Sequence, residues 1–290
     1  MGQGITRRQL LWGAIALGST QLLLTRPSLA ARRARITVST SRELWDAIGS
    51  DRTITLRPGV YDLVSIADTL TASSPHIAFE EVYDGIEAVI RNVQNLTIIG
   101  PKDHSAKIYT QPRYADVLRF DNCQDITLKQ IEAGHWPDEG DCNGAVLQFT
   151  DCDHIELDDL RLFGSGTYGI WASRTNELHC KDSQIYECTY GILYLTACED
   201  IHLEDCQFLN NRQYNLVHVE RSRQVQFEDC QFRNNQVLAQ WDAFFNVIDS
   251  PAVIVEDCEF INNSSAKLMN QPGVLRLDDV RFTDNTFMDL

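Results

Sequence analysis

VQFEDCQFRNN, Val225 to Asn235, stands between two near-copies of itself: IHLEDCQFLNN from Ile201 and VIVEDCEFINN from Val253. One phrase written three times, with a cysteine in the same slot, marks a repeat architecture. Each unit buries its apolar face on the next. Aligning the first apolar residue of every copy extends the series to Leu96, Ile126, Ile155, Leu178, Ile201, Val225, Val253 and Leu275, spaced by 30, 29, 23, 23, 24, 28 and 22 residues. Each anchor opens an apolar-x-apolar alternation, as in Ile155-Glu156-Leu157 and Leu275-Arg276-Leu277. A period of two describes a strand with one buried face.

A second alternating run precedes each anchor: VLRF, VLQF, GIWA, ILYL, LVHV and FFNV. With two or three short strands per repeat and no stretch for a helix, repeats of this length predict a parallel β-solenoid. Successive turns would stack about 4.8 Å apart. The phrase recurs because each residue must sit on its counterpart one turn away.

The remaining columns follow. Five residues past the anchors come Ile131, Leu160, Ser183, Cys206, Cys230, Cys258 and Val280; three before them come Cys123, Cys152, Thr175, Cys198, Ser222 and Ser250. Both slots take compact side chains, which predicts buried, reduced thiols. Cys142, Cys180 and Cys188 bring the total to an odd nine, so no complete disulfide framework can form. Asn211, Asn235, Asn263 and Asn285 form a further column, whose amides can bond the backbone and one another.

The phrase I-x-L-x-D-C-x-F-x-x-N and strands such as Gly169-Ile170 and Gly191-Ile192 resemble the right-handed parallel β-helix superfamily, which includes pectate lyases. TSRELWDAI followed by DRTITLRPGVYDL resembles the start of that family, a capping helix and then a first strand, with Ser41 the expected N-cap. The resemblance covers about residues 36 to 290. It implies an all-β fold, a single-stranded right-handed parallel β-helix with a short N-terminal capping helix, over residues 31–290. It does not carry an activity across. The Trp-Ile-Asp-His and Arg-x-Pro-x-x-Arg segments of pectate lyases and the Gly-His-Gly block of polygalacturonases are absent.

Residues 1–30 read as an address. Thr6-Arg7-Arg8-Gln9-Leu10-Leu11 resembles a twin-arginine motif, and an apolar run to Leu24 and a small-x-small site at Ser28 and Ala30 complete an export signal. Export would place the mature chain outside the bacterial cytoplasm, soluble and not inserted in a membrane. Without Arg7, Arg8 and Arg26, 22 basic residues face 41 acidic ones, a net charge near −19. That balance excludes nucleic acid bound by bare electrostatics.

In the resembled superfamily the substrate groove follows the strand that here precedes each anchor. Its outward positions are Arg119, Gln148, Trp171, Tyr194, His218 and Asn246, and a row of rings suits stacking on a polysaccharide or oligosaccharide. Two insertions border that strand: AGHWPDEGDCNG, with Trp136, Asp138, Glu139 and Asp141, and VLAQWDAF, with Trp241 and Asp242. The four acids are candidate Ca²⁺ ligands through hard oxygens. The catalytic candidates are Tyr194, His218 and Glu220, with His218 as base, Tyr194 as acid, and Arg174 or Ca²⁺ as charge stabiliser for a lyase or uronate epimerase. Asp121 and Glu220 share a column four turns apart, roughly 19 Å, too far for a glycosidase pair. The rival expectation is a non-catalytic envelope protein whose solenoid is a binding scaffold.

Overall fold

The computed structural model describes residues 33–70, 73–136, 143–164 and 167–288. The expected export signal over residues 1–30, and the candidate Ca²⁺ ligands Asp138, Glu139 and Asp141, lie outside the described residues. The described residues form strands of two to seven residues joined by short corners, coiled into a right-handed parallel β-helix. Sheet A holds ten strands, from Ala34–Val38 to Leu275–Asp278, and contains all the anchors. Sheet B holds nine, from Gly59–Tyr61 to Arg281–Thr283. Sheet C holds eight, ending at Phe245–Ile248, and sheet D four short ones from Arg212–Gln213 to Thr286–Phe287. All pairs are parallel except the hairpin of Ile77–Val82 with Gly85–Arg91, which closes sheet C at its N-terminal end. No helix among the described residues is long and apolar enough to cross a membrane.

The anchors pair as counted: Ile155 with Leu178, Leu178 with Ile201, Ile201 with Val225, and Val253 with Leu275. Inside the coil the phrase's phenylalanines form one continuous column. Phe208, Phe232, Phe260 and Phe282 lie with centroids 4.7, 4.5 and 5.0 Å apart.

The aspartate of Glu-Asp-Cys has a backbone role. Asp182, Asp205, Asp229 and Asp257 turn the corner from sheet A to sheet B at φ 51°, a left-handed conformation that Asp and Asn adopt at low cost. The next residue locks the corner. Cys206 Sγ donates to the Glu204 carbonyl at 3.2 Å, Cys258 Sγ to Glu256 at 3.1 Å and Ser183 Oγ to Lys181 at 2.7 Å. In the other column Cys152, Thr175 and Ser222 make the same bond to the carbonyl two residues back. Compactness alone therefore understates the slot: most of its occupants are small donors, and Cys, Ser and Thr interchange for that reason. Eight of the nine cysteines are described, all buried and free.

The asparagine column carries amide bonds from turn to turn. Asn235 Oδ1 accepts from the Asn211 backbone at 2.9 Å and from its side chain at 3.0 Å. Asn235 Nδ2 donates to the Phe208 carbonyl at 2.8 Å.

At the N-terminal end, the helix Ser41–Ala47 packs Leu44 and Trp45 into the core, with Trp45 stacked on Phe79 at 5.0 Å. Two details differ from the sequence expectation. A strand, Ala34–Val38, precedes the helix and pairs with Arg52–Leu56. The N-cap is Thr40, whose hydroxyl accepts from Glu43 N at 3.1 Å, because Ser41 is needed elsewhere: its Oγ accepts from Asp62 N at 2.9 Å.

Two outcomes test this packing. Asn235→Ala strips the acceptor from Asn211 and the donor from Phe208, and should cost about 2–4 kcal/mol, read as a lower urea midpoint with unchanged native circular dichroism. Cys206, Cys230 and Cys258 should resist a thiol reagent until denaturant is added; rapid native labelling of all three would contradict the stack.

Candidate functional site

The outward row of sheet C is in register along its whole length. Arg119 pairs with Gln148, Gln148 with Trp171, Trp171 with Tyr194, Tyr194 with His218 and His218 with Asn246. Beside it runs a second outward column, Asp121, Thr150, Ser173, Thr196 and Glu220. Asp121 and Glu220 are four pairings apart, as counted.

The rings stack on one another. Tyr194 and His218 lie parallel, centroids 4.4 Å apart and planes within 7°, and Trp171 covers the other side of Tyr194 at 4.6 Å and 40°. Tyr168 closes the cluster at 5.1 Å from Tyr194 and edge-on to Trp171. Gly191 makes room for it, since a Cβ there would come within 2.8 Å of the Tyr168 ring. The faces of Tyr194 are therefore occupied, and a ligand meets its edge and hydroxyl. Flat stacking of a sugar on Tyr194, the sequence expectation, has no free face to use.

His218 is the most constrained member. Asn246 Nδ2 donates to its Nδ1 at 2.9 Å, so the imidazole proton resides on Nε2. Nε2 is shielded from solvent and has no hydrogen-bond partner; Glu220 Oε2 is 3.9 Å away, too far to accept. Burial lowers the His218 pKa below its ordinary 6.5, and the nearby Glu220 offsets only part of this. The neutral ring presents a proton rather than a lone pair, so the expected base is, in this arrangement, a donor. Glu220 is partly buried and pairs with Arg221.

The other end of the row is an ion-pair cluster. Arg119 Nη1 contacts Glu87 at 2.7 Å and Glu80 at 3.1 Å, and its Nε contacts Asp121 at 3.1 Å. Arg91 joins Glu80 and Asp121. Beneath them, burial and then Glu87 push the Asp116 carboxyl up to about 8, and it accepts from Ala145 N at 2.7 Å. Burial therefore favours the protonated form of Asp116.

The remaining candidates stand apart from the row. Arg174 sits on the corner after sheet C at φ 48° and grips Asp151 with two bonds of 2.6 and 2.8 Å. Trp136 follows Glu132–His135 in sheet B and stacks on Tyr109 at 5.8 Å. Trp241 and Asp242 precede the last strand of sheet C, Trp241 being 80% exposed. Burial raises the Asp242 pKa, with Asn215 opposing. Among the described residues no group of three or more His, Cys, Asp or Glu side chains is placed to hold a metal ion. Sequence reading missed Tyr168, Tyr190 and Tyr214. The last two are in contact at 4.8 Å, edge to face, and an aromatic at or just before the strand in three successive repeats was the available signal.

The chain matches the family described as "Right handed beta helix region" over residues 117–289. In structure it is similar to an alginate lyase from Paenibacillus sp. str. FPU-7, at 11% identity and a TM-score of 0.52, over 86% of this chain and 95% of the other. It also aligns with a polygalacturonase from Erwinia carotovora ssp. carotovora at 11% identity and TM-score 0.41, over 88% and 85% of the two chains. A third alignment, at 7% identity and TM-score 0.41 over 88% and 72%, is with PfbA, a surface adhesin of Streptococcus pneumoniae. These likenesses concern the fold. No curated protein matches the sequence.

The imidazole provides a test. Between the ordinary histidine value and the lower folded one, the unfolded chain binds more protons, so stability falls as pH drops through that window. The NMR titration of His218 should have its midpoint below 6.5; a midpoint at or above it would mean that Asn246 does not hold the ring as described.

Proposed function

The chain belongs to the right-handed β-helix family, and on that scaffold we propose that it binds a polysaccharide laid along sheet C, outside the cytoplasm. One observation carries the reading: His218 Nε2, a donor held out of water without a partner beside Tyr194 and Glu220. A buried donor left unpaired costs free energy, and a ligand hydroxyl that displaces the side chains covering it removes that cost. Around it the Tyr194 hydroxyl, Gln148, Thr150 and Thr196 form no side-chain hydrogen bond within the chain. They lie in two pairs, Gln148 with Thr150 and Tyr194 with Thr196, on turns two pairings apart, roughly 10 Å. A chain of hydroxylated rings meets them as a repeated ligand meets a repeated surface.

Binding is better supported than lyase or epimerase chemistry. Elimination or epimerisation beside a sugar carboxylate needs that carboxylate's charge stabilised as the proton leaves. Arg174, the protein's own candidate, is already held by Asp151, and Arg119 in the outward row by Glu87 and Asp121. The aromatic ledge and the desolvated imidazole serve recognition without either. The export signal read at residues 1–30 supports an extracytoplasmic site of action.

Glycan-array binding by the soluble chain, repeated with Tyr194→Ala and His218→Ala, tests the proposal. Each variant should keep the native far-ultraviolet spectrum and lose about tenfold or more in affinity, the loss of one or two hydrogen bonds and their packing. Wild-type affinity in both folded variants would move the site away from sheet C.

A further inference from the structure

Resting on the sheet C reading, we infer that the glycan taken there is uncharged: the site selects a neutral polysaccharide and rejects a polyuronate. A uronate carboxylate is best recognised by a free guanidinium, which meets it with two parallel bonds. Sheet C and the corner after it carry four arginines, and each is already held. Arg91 and Arg119 share Glu80, Glu87 and Asp121. Arg174 grips Asp151, and Arg221 pairs with Glu220. For any of them to bind a uronate, a resident carboxylate must be left unpaired, at Glu87 in a buried position. Breaking that buried pair is costly, whereas the pairs of Arg174 and Arg221 are exposed and hold less firmly.

The groups facing the groove and not so committed are neutral or acidic. Burial favours the uncharged form of His218, and Asp242 stands near Tyr168 just before the last strand of sheet C. Lys267 has no carboxylate partner among the described residues. It lies in the final turn, joined to Phe244 through its backbone carbonyl, outside the row from Trp171 to Asn246. The surrounding chain carries a net charge of −16, which disfavours the approach of an anionic polymer. Hydroxyl, amide and imidazole N–H remain on the ledge, and these pair with sugar hydroxyls without any charge to neutralise.

The experiment varies charge on one backbone. Hexagalacturonate and its fully methyl-esterified form are titrated calorimetrically in chelator at low salt, beside neutral β-1,4-glucan, xylan and mannan hexasaccharides, with wild-type protein and Tyr194→Ala. We expect at least one neutral ligand to bind and to weaken in Tyr194→Ala. The free acid should bind about tenfold or more weakly than its ester, and added salt should narrow that gap by screening. Free acid binding as tightly as the ester, and lost in Tyr194→Ala, would overturn the charge inference while leaving the site in place. Free acid that binds only when Ca²⁺ replaces the chelator, and is lost in Tyr194→Ala, would overturn it equally. Failure of every ligand, neutral and charged, would overturn the sheet C reading and this inference with it.

Discussion

Every part of this molecule depends on one constraint: a side chain must be compatible with its counterpart one turn above and one below. Parallel strands about 4.8 Å apart convert a sequence repeat into a spatial column, and a column accepts only groups that can repeat. Phenylalanine repeats because rings stack, as at Phe232 and Phe260. Asparagine repeats because its amide is donor and acceptor at once, so Asn211, Asn235, Asn263 and Asn285 pass bonds along a line. The corner slots repeat a small donor that closes the turn on its own backbone. None of these groups needs chemistry to explain it.

The same constraint acts on the outward face, with a different result. On sheet C the outward column changes character along the axis, from a salt-bridged arginine through a tryptophan and a tyrosine to a histidine held by an asparagine. Stacking still operates, and it fixes ring orientation without locking the polar edges. The Tyr194 ring is immobilised between two neighbours while its hydroxyl stays open, and the imidazole is oriented by its neighbour while Nε2 stays unpaired. The ledge is therefore preorganised by the force that builds the core. A glycan would lose few protein side-chain rotamers on binding.

This explains why the fold was legible in the sequence and the site only in part. Register depends on periodic anchors, so Trp171, Tyr194 and His218 could be placed in one column by counting. Ring orientation depends on side-chain packing, and counting could not show that Tyr194 and His218 would cover each other's faces. The partners of Arg119 were hidden for another reason. Glu80 and Glu87 come from the antiparallel hairpin Ile77–Arg91, the one element of sheet C that breaks the repeat. The proton position on His218 turns on a single amide in the next turn, which alternation cannot report. Thr40 displaced Ser41 as N-cap because Asp62, distant in sequence, claims the Ser41 hydroxyl.

The ion pairs beside the sheet C row also bear on which sugar the ledge would take. A repeated outward column of arginine, tyrosine and histidine suits acid-sugar chemistry on composition alone, because composition counts charges without their partners. Pairing reverses that. Arg119 makes its contacts with Glu87 and Asp121 at little exposure, where a charge pair is costly to break and stabilises little beyond satisfying its own members. Such an arginine supports the end of the sheet and is poorly suited to release its partners to a passing ligand. What is left exposed along sheet C is a neutral ledge in an acidic chain. The physical case for function therefore rests on hydroxyl recognition at His218 and Tyr194, and the arginines belong to the structure that holds that ledge in place.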